Sequence, residues 1–333
     1  MRVTLTYNLK KKDPLKPADY FSEYDSEETI NSVISALITK GHSVEAIDVE
    51  YPALFSYFRK NRVDMVFNIA EGKHGRFRES EVPAVLDYLN IPYTGSNTFS
   101  LALALNKGLT KKILKAENIP TPNFQLFTKG NETLSAELKF PLIVKPNCEG
   151  SAKGINKTSV VDNQEDLFNK IRECIDVYRQ EALVEEFIEG KELTVGILEN
   201  GKTCVLPILE IDFSNCIKSG EYFYSWKMKE FQGNHELGLV PEFHCPARLD
   251  KDTEEKVKDA ALRTHRAVGC LDISRTDIRL DKFNVPYVLE INPLPGLDPK
   301  ESNFPIMAYA AGMKYEDLIE AILISASERK RLN

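Results

Sequence analysis

Residues 275–292 read RTDIRLDKFNVPYVLEIN, two runs of alternating apolar and polar residues around a polar turn, Asp281-Lys282-Phe283-Asn284. That is the pattern of a β-hairpin. Strand alternation puts Arg275, Asp277 and Arg279 on one face, with Thr276, Ile278 and Leu280 on the other. On the partner strand Glu290 and Asn292 share a face, and Leu289 and Ile291 are expected in a core. Closing the hairpin gathers Asp277, Glu290 and Asn292 into a cluster of hard oxygen donors beside Arg275. Such donors suit Mg²⁺ with a phosphate-bearing substrate rather than zinc. A solvated face with an ordinary ion pair explains the same residues about as well. The next residues, Pro293-Leu294-Pro295-Gly296, favour a site, because they stop the strand and make a rigid loop beside the carboxylates.

The rest of the chain bounds what that site can serve. A length of 333 residues suits two domains or three small ones. With 42% hydrophobic and 28% charged residues the composition is that of a soluble globular protein with ample core. The formal net charge is −7, and no basic stripe is dense enough for a nucleic-acid footprint. No apolar run approaches the roughly 20 residues of a membrane-spanning helix, and the N-terminal MRVTLTYNLKKK is too short in its apolar part for a signal peptide. The six cysteines (148, 174, 204, 216, 245 and 270) show no CxxC pairing. They read as small buried hydrophobes in a reducing compartment, so a cytoplasmic protein is expected.

In chain order, Val3–Tyr7 is β-rich, and Asn8–Tyr24 is a polar loop. Ser26-Glu27-Glu28-Thr29 opens an amphipathic helix through Lys40, ended by Gly41. Strands at Val44–Val49 and Val63–Ile69 flank a helix at Leu54–Lys60, and such alternation predicts a parallel sheet. Ala70–Ser80 is a polar loop after a strand, where ligands gather in open α/β sheets. Helices follow at Glu81–Leu89 and Leu101–Glu117, then strands at Phe124–Phe127 and Pro141–Lys145. The second of these strands runs into the small-residue loop Asn147–Gly154, whose N–H groups could cradle phosphate, with Lys145 at its mouth. A helix at Gln164–Tyr178 and a strand at Ala182–Ile188 come next, and Leu193–Leu198 pairs with Thr203–Phe213. Ile217–His244 has little periodicity and reads as a loop that closes over a site. Helices at Asp252–Val268 and Tyr315–Ala326 complete the reading.

Residues 196–203, GILENGKT, match the P-loop pattern GxxxxGK[ST] letter for letter. A working P-loop needs a helix after it, and here β-rich residues and Pro207 follow, with Asn200-Gly201 a favoured hairpin turn. The match is read as a coincidence.

Taken together, IPYTGS (91–96), ALALNK (102–107), PLIVKPNCEGSAKG (141–154), VEEFIEGKELTVGIL (184–198), the RTD…LEIN hairpin (275–292) and PLPG (293–296) resemble the D-alanine–D-alanine ligase group of the ATP-grasp enzymes. The likeness covers nearly the whole chain from about Ile30. It implies an α/β protein: an ATP-grasp fold preceded by a Rossmann-like parallel-sheet domain. The implied division is a substrate domain at 1–96, a central ATP-grasp subdomain at 97–184 with the phosphate loop 147–154, and a C-terminal subdomain at 185–330 carrying the lid 217–244 and the metal hairpin 275–292. The implied activity is ATP-dependent, ADP-forming ligation of a carboxylate to an amine through an acyl phosphate, giving a dipeptide or similar amide. A ligase for a non-amino-acid carboxylate and a non-catalytic nucleotide-binding regulator are the alternatives.

Residue by residue, the resemblance implies that Lys107 and Lys145 bind the nucleotide phosphates. Glu185, Glu186, Phe187 and Ile188 line the adenine pocket, and Glu192 holds the ribose. Glu149, Gly150, Ser151 and Gly154 belong to the loop over the reacting phosphate, and Lys229 reaches that phosphate from the lid. Asp277, Glu290 and Asn292 hold two Mg²⁺ ions, with Mn²⁺ as a substitute, and Arg275 and Gly296 serve the oxyanion and the second substrate. His74 and Glu79 contact the first amino acid, and Ser302 the carboxylate of the second. A homodimer is the assembly implied.

Departures from the family fall on the amino-acid side. Tyr7–Tyr24 lacks the usual glycine-rich strand end; Glu23 lies near the place of the glutamate that orients the first ammonium, and Glu230 replaces the lid tyrosine. The loop Arg76-Phe77-Arg78-Glu79-Ser80 adds positive charge, from which an acidic or larger substrate is expected.

Overall fold

The computed structural model describes residues 1–49, 54–73 and 75–332. The chain begins with β1 (Arg2–Tyr7), α1 (Glu27–Thr39), β2 (Ser43–Asp48), α2 (Leu54–Lys60), β3 (Met65–Asn68) and α3 (Glu81–Leu89). The three strands pair in parallel in the order β2-β1-β3, as strand–helix alternation predicts. Helix α1 starts where its sequence says, with Ser26 Oγ accepting from Thr29 N at 3.1 Å.

Next come α4 (Thr98–Leu105), α5 (Lys107–Ala116), β4 (Phe124–Phe127), β5 (Leu142–Pro146), β6 (Val160–Val161), α6 (Gln164–Tyr178) and β7 (Ala182–Glu186). Their strands form an antiparallel sheet, β4-β7-β5-β6, covered by α6 through Leu167, Ile171 and Cys174. The final part holds β8 (Lys191–Asn200), β9 (Lys202–Val205), β10 (Leu209–Asp212), α7 (Trp226–Glu230), β11 (Glu242–His244), α8 (Lys251–Val268), β12 (Ile273–Leu280), β13 (Pro286–Asn292), α9 (Asn303–Ala310) and α10 (Tyr315–Leu332). Strand β8 is the spine of this sheet, with β12 on one side and β9 and β10 in succession on the other. The P-loop look-alike is therefore the β8–β9 hairpin.

Two cores fix how these parts sit. Val257, Ala260 and Ala261 of α8 pack on Val195, Ile278 and Val288 of the large sheet. Val33 and Leu37 of α1 share a second core with Leu5, Phe304, Leu318 and Ile322, so the first sheet is joined to α9 and α10. Each such fully buried aliphatic or aromatic side chain contributes about 1.5–3 kcal/mol.

Four features differ from the sequence-based expectation. The helix expected over Leu101–Glu117 is two helices, because Asn106 caps α5: its Oδ1 accepts from Leu109 N at 3.0 Å and from Asn147 Nδ2 at 3.1 Å. An unbroken apolar run hides that break, and its effect is to put Lys107 on the first turn of α5. Leu289 is not in a core. The β12–β13 register slips between Asp277 and Ile278, which face Glu290 and Val288, so β13 carries one extra residue. The bulge turns both Leu289 and Glu290 toward the cleft described below. Residues 217–244 are partly ordered by a satellite core of Cys216, Met228 and Leu239 and by α7, capped by Ser225. Helix α9, apolar all round, has no periodicity to announce it.

The Asn106 cap is testable. Asn106→Ala removes two accepted bonds and should lower stability by about 1–2 kcal/mol, read as a reduced urea midpoint at unchanged m-value.

Candidate active site

A cleft of about 390 Å³ opens where the three sheets meet, lined by residues of each: Glu71 after β3, Lys145 and Glu185 of β5 and β7, and Arg275 and Glu290 of β12 and β13. At one end Glu185 is buried between two lysines, Lys145 Nζ at 2.6 Å from Oε1 and Lys111 Nζ at 2.8 Å from Oε2. Burial works against the Glu185 charge, but the two ammonium groups overcome it and hold its pKa down. Burial lowers Lys111 to about 8 despite the Glu185 charge. Lys111 approaches Oε2 outside hydrogen-bonding direction, and that oxygen accepts no hydrogen bond among the described residues.

Beside it, Arg279 donates to Glu192 Oε2 at 2.7 Å and to the carbonyl of Tyr222 at 3.3 Å, while its guanidinium lies 4.9 Å from the Phe187 ring centre. Phe187 and Ile188 line the cleft. Glu186 turns its carboxylate outward to Asn123 and the Lys139 N–H.

In the middle stands the hairpin. Arg275 holds Asp277 in a two-point pair at 3.0 and 2.8 Å, Thr194 donates to Asp277 Oδ1 at 2.6 Å, and Asn292 Nδ2 reaches Asp277 Oδ2 at 3.1 Å. Lys107 Nζ lies 3.3 Å from Glu290 and also donates to the Glu149 carbonyl. Burial would raise the Glu290 carboxyl, but Lys107, Lys145 and Arg275 bring it to about 2. So the predicted oxygen cluster forms, and each carboxylate in it is met by a cation.

Across from the hairpin is the phosphate-loop candidate. Ser151 and Ala152 sit at φ 51° and 54°, in the left-handed region, and their N–H groups meet no acceptor among the described residues. Lys229 of α7 reaches over to donate to Ser151 Oγ at 2.8 Å. Crowding around the cleft, then the nearby Arg275 charge, lower the Lys229 pKa. Gly154 does not line the cleft: its Cα packs against Pro146 and Tyr178, and its N–H donates to Asp19 at 3.2 Å.

The far end departs most from expectation. Glu23 accepts from Gly150 N at 2.7 Å and from Arg78 Nε at 3.2 Å, pairs with Arg78 Nη2, and lies 3.4 Å from Lys153. Burial opposes its charge, but Arg78 and Lys153 hold the carboxyl at about 2. Arg78 also binds Glu149 at 3.1 Å and the Cys148 carbonyl at 3.0 Å. Glu23 is thus a fully engaged clasp between the N-terminal loop and the phosphate loop, not a free carboxylate for an ammonium. The added arginines do not face a substrate either: Arg78 is consumed by this cluster, and exposed Arg76 points toward Glu181. That removes the basis for expecting an acidic substrate. Glu79 lines the cleft; His74 lies outside the described residues. Ser302 Oγ accepts from Asp298 N at 3.0 Å at the start of α9, close against Gly296.

A family model described as "D-ala D-ala ligase C-terminus" matches residues 113–324. The D-alanine–D-alanine ligase of Carboxydothermus hydrogenoformans is 35% identical over 312 residues, covering 91% of this chain and 94% of the relative.

The chain belongs to the D-alanine–D-alanine ligase family.

It is an ATP-dependent ligase of ATP-grasp fold. The fold is that of the D-alanine–D-alanine ligase of Bacillus anthracis solved with ATP, with a TM-score of 0.77 at 26% identity over the whole of both chains. The D-Ala:D-Ser ligase VanG of Enterococcus faecalis shares it too, with a TM-score of 0.76 at 20% identity, over 98% of this chain and 99% of that one. Neither a regulator without chemistry nor a ligase for non-amino-acid carboxylates is favoured by these relatives.

Within this family frame, sequence reading missed the residues that brace the expected ones: Lys111, Lys153, Arg78 and Arg279. Arg279 was legible, since it alternates with Arg275 and Asp277. Lys111 and Arg78 carry no local signal, because their partners lie far off in sequence, and Lys153 has one local partner, Glu149, and one distant one, Glu23. Glu230 of α7 pairs with Lys10 at 3.0 Å, and Trp226 donates to Ser22 at 2.7 Å, so the segment expected as a lid docks on the N-terminal loop.

Arg78→Met should therefore destabilise the protein by about 3 kcal/mol, because Glu23 and Glu149 stay buried with Lys153 alone to answer two charges. The Glu23 carboxyl is depressed from an ordinary 4.5 to about 2. Its contribution is complete above the ordinary value and is lost as pH falls toward the folded one. Urea midpoints between pH 5 and 2.5 should fall in the parent and change less in Arg78→Met.

Proposed function

We propose that this chain is an ADP-forming ligase that joins two amino acids, activating the carboxylate of the first as an acyl phosphate. The observation that carries the reading is the convergence on one cleft of Lys229 on Ser151, Arg275, and the Asp277–Glu290–Asn292 oxygens. In this reaction the first carboxylate takes the terminal phosphoryl group of ATP and ADP leaves; the second amine then attacks the carbonyl, phosphate departs, and one proton is released.

The residues present fit ATP. Glu185 borders the cleft with its charge held by Lys111 and Lys145, and Phe187 and Ile188 give an apolar wall. Glu192 suits ribose hydroxyls, with Arg279 fixing its orientation. Lys107 and Lys145 stand toward the phosphates, and the free N–H groups of Ser151 and Ala152 match phosphate oxygens. Lys229 closes the loop over the transferred group, where its charge stabilises the transition state. Arg275 serves the carbonyl oxygen as it becomes an oxyanion. Ser302 and the N-terminus of α9 suit the carboxylate of the second amino acid, with Gly296 letting that loop approach closely.

The donor set also fits Mg²⁺: two carboxylates and an amide oxygen, all hard ligands. Asp277, Glu290 and Asn292 would hold it. Bound there, the metal would neutralise charge on the phosphates and release Arg275 and Lys107 from part of their present pairing. The six free cysteines support a reducing, cytoplasmic setting, and the net charge of −7 argues against nucleic acid as a partner. Assembly as a homodimer is carried over from the family.

The test is ADP release with Mg-ATP and pairs of D- and L-amino acids, with the amide product read by mass. Lys229→Met should lower kcat by about 10²–10³ with ATP still bound, and Asp277→Asn should abolish turnover. Full activity in either variant overturns the assignment of that residue. Absence of ADP with every pair overturns the amino-acid ligase reading.

A further inference from the structure

Charges along the cleft are matched at the nucleotide end and unmatched at the amino-acid end. Glu185, Glu192, Asp277 and Glu290 each have a lysine or arginine partner. Asp25, Glu71 and Glu79 also line the cleft. Among the described residues, none of these three carboxylates takes a hydrogen bond or an ion pair. Glu79 is only 8% exposed, so it is nine-tenths buried with no partner while bordering the cavity. Burial first, then neighbouring carboxylates, raise all three: Glu71 well above its ordinary value, with Glu79, Glu23 and Asp25 contributing; Asp25 to about 7, with Asp298 contributing; and Glu79 to about 7, with Glu23 and Glu290 contributing against the nearby Arg78.

A buried carboxylate with no partner is costly, and the cost is removed when a cation enters. Arg78 and Lys153 are committed to Glu23 and Glu149, and Lys229, which donates to Ser151, acts on Asp25 and Glu71 without forming an ion pair with either. The placement is also that of a binding site. Asp25 and Glu71 follow the loops that leave the carboxyl ends of β1 and β3, with Asp25 N bonded to Asn8 O and Gly72 N to Asn8 Oδ1.

We propose that Asp25, Glu71 and Glu79 form a subsite for cationic nitrogen, and that the amino acid bound there carries a second amine in addition to its α-ammonium. The substrate class is then diamino or basic amino acids. One α-ammonium would leave two of the three carboxylates unanswered, and Arg76 and Arg78 are both turned away from the cleft. This inference rests on the ligase reading above and names the substrate class of that same site.

The experiment compares ADP release with neutral amino acids (alanine, serine), acidic ones (aspartate, glutamate) and basic ones (2,3-diaminopropionate, 2,4-diaminobutyrate, ornithine, lysine), each as D and L forms. Basic amino acids should exceed neutral ones in kcat/KM by about tenfold or more, the scale of one charged hydrogen bond, and acidic ones should be silent. Glu71→Gln and Asp25→Asn should shrink the basic-to-neutral ratio by a similar factor. Equal or better turnover of alanine, or an unchanged ratio in both variants, overturns the proposal.

A second arm separates this proposal from the ligase reading. Each basic amino acid alone is titrated into the full chain, and thermal midpoints are read for the parent and Glu71→Gln. A rise that Glu71→Gln abolishes supports the subsite even if no ADP is formed, in which case the ligase reading alone has failed. No rise with any basic amino acid, in the absence or presence of a non-hydrolysable ATP analogue, overturns the subsite.

Discussion

Taking a carboxylate out of water costs several kcal/mol unless a cation, a metal or a set of N–H donors meets it, and the cleft of this protein is lined by many carboxylates. Most of its architecture answers that demand. Glu185 is set between Lys111 and Lys145, Glu192 against Arg279, Asp277 against Arg275, and Glu290 against Lys107. Glu23 and Glu149 share Arg78 and Lys153. Except for Arg275–Asp277 and Lys153–Glu149, which are local, these pairs join segments distant in the chain and help hold the three sheets together around the cleft. A metal or phosphate entering such a site exchanges one set of ion pairs for another rather than meeting bare charge. That exchange keeps the cost of reorganisation low.

Backbone irregularities do the aiming. Regular strand alternation would send Leu289 inward, and the bulge opposite Asp277 is what brings Leu289 and Glu290 to the same cavity. A continuous helix through residue 106 would carry Lys107 along a different line; the Asn106 cap restarts the helix so that Lys107 stands on its first turn, facing Glu290. Two successive residues at positive φ, Ser151 and Ala152, bend the small-residue loop so that their own N–H groups meet no acceptor among the described residues. Each left-handed non-glycine residue costs on the order of 1 kcal/mol. Strain of this kind persists where the surrounding contacts determine it, and here Gly150, Lys153 and Gly154 are all tied down.

The same reasons explain what could be read from the sequence. Hairpin 275–292, helix α1 with its Ser26 cap, the parallel first sheet and the small-residue loop are written in local alternation, capping and turn residues. Their places follow from physics acting over a few positions. The role of Glu23 could not be read that way, since its partners are Arg78, Gly150 and Lys153, and only the fold makes them neighbours. Arg78 misled for a related reason: a charge counted in sequence says nothing about whether another charge already claims it. Asp25 and Glu71 were passed over because single acidic residues in polar loops have no pattern. Helix α9 was passed over because an all-apolar helix has no periodicity.

The N-terminal loop links these observations. It carries Lys10, Asp19, Ser22, Glu23 and Asp25, and it touches the lid through Lys10–Glu230 and Ser22–Trp226, and the phosphate loop through Asp19 and Glu23. An acyl phosphate survives only if water is kept out, and that requires the lid and the phosphate loop to close together. Here a single segment contacts both and also places Asp25 in the cleft. Replacing the glycine-rich strand end with this long charged loop thus does two things at once. It ties Glu23 to Arg78, Gly150 and Lys153, and it leaves Asp25 lining the cleft with no hydrogen bond or ion pair among the described residues. The departures from the family pattern are therefore one coupled change, with Glu23 at its centre.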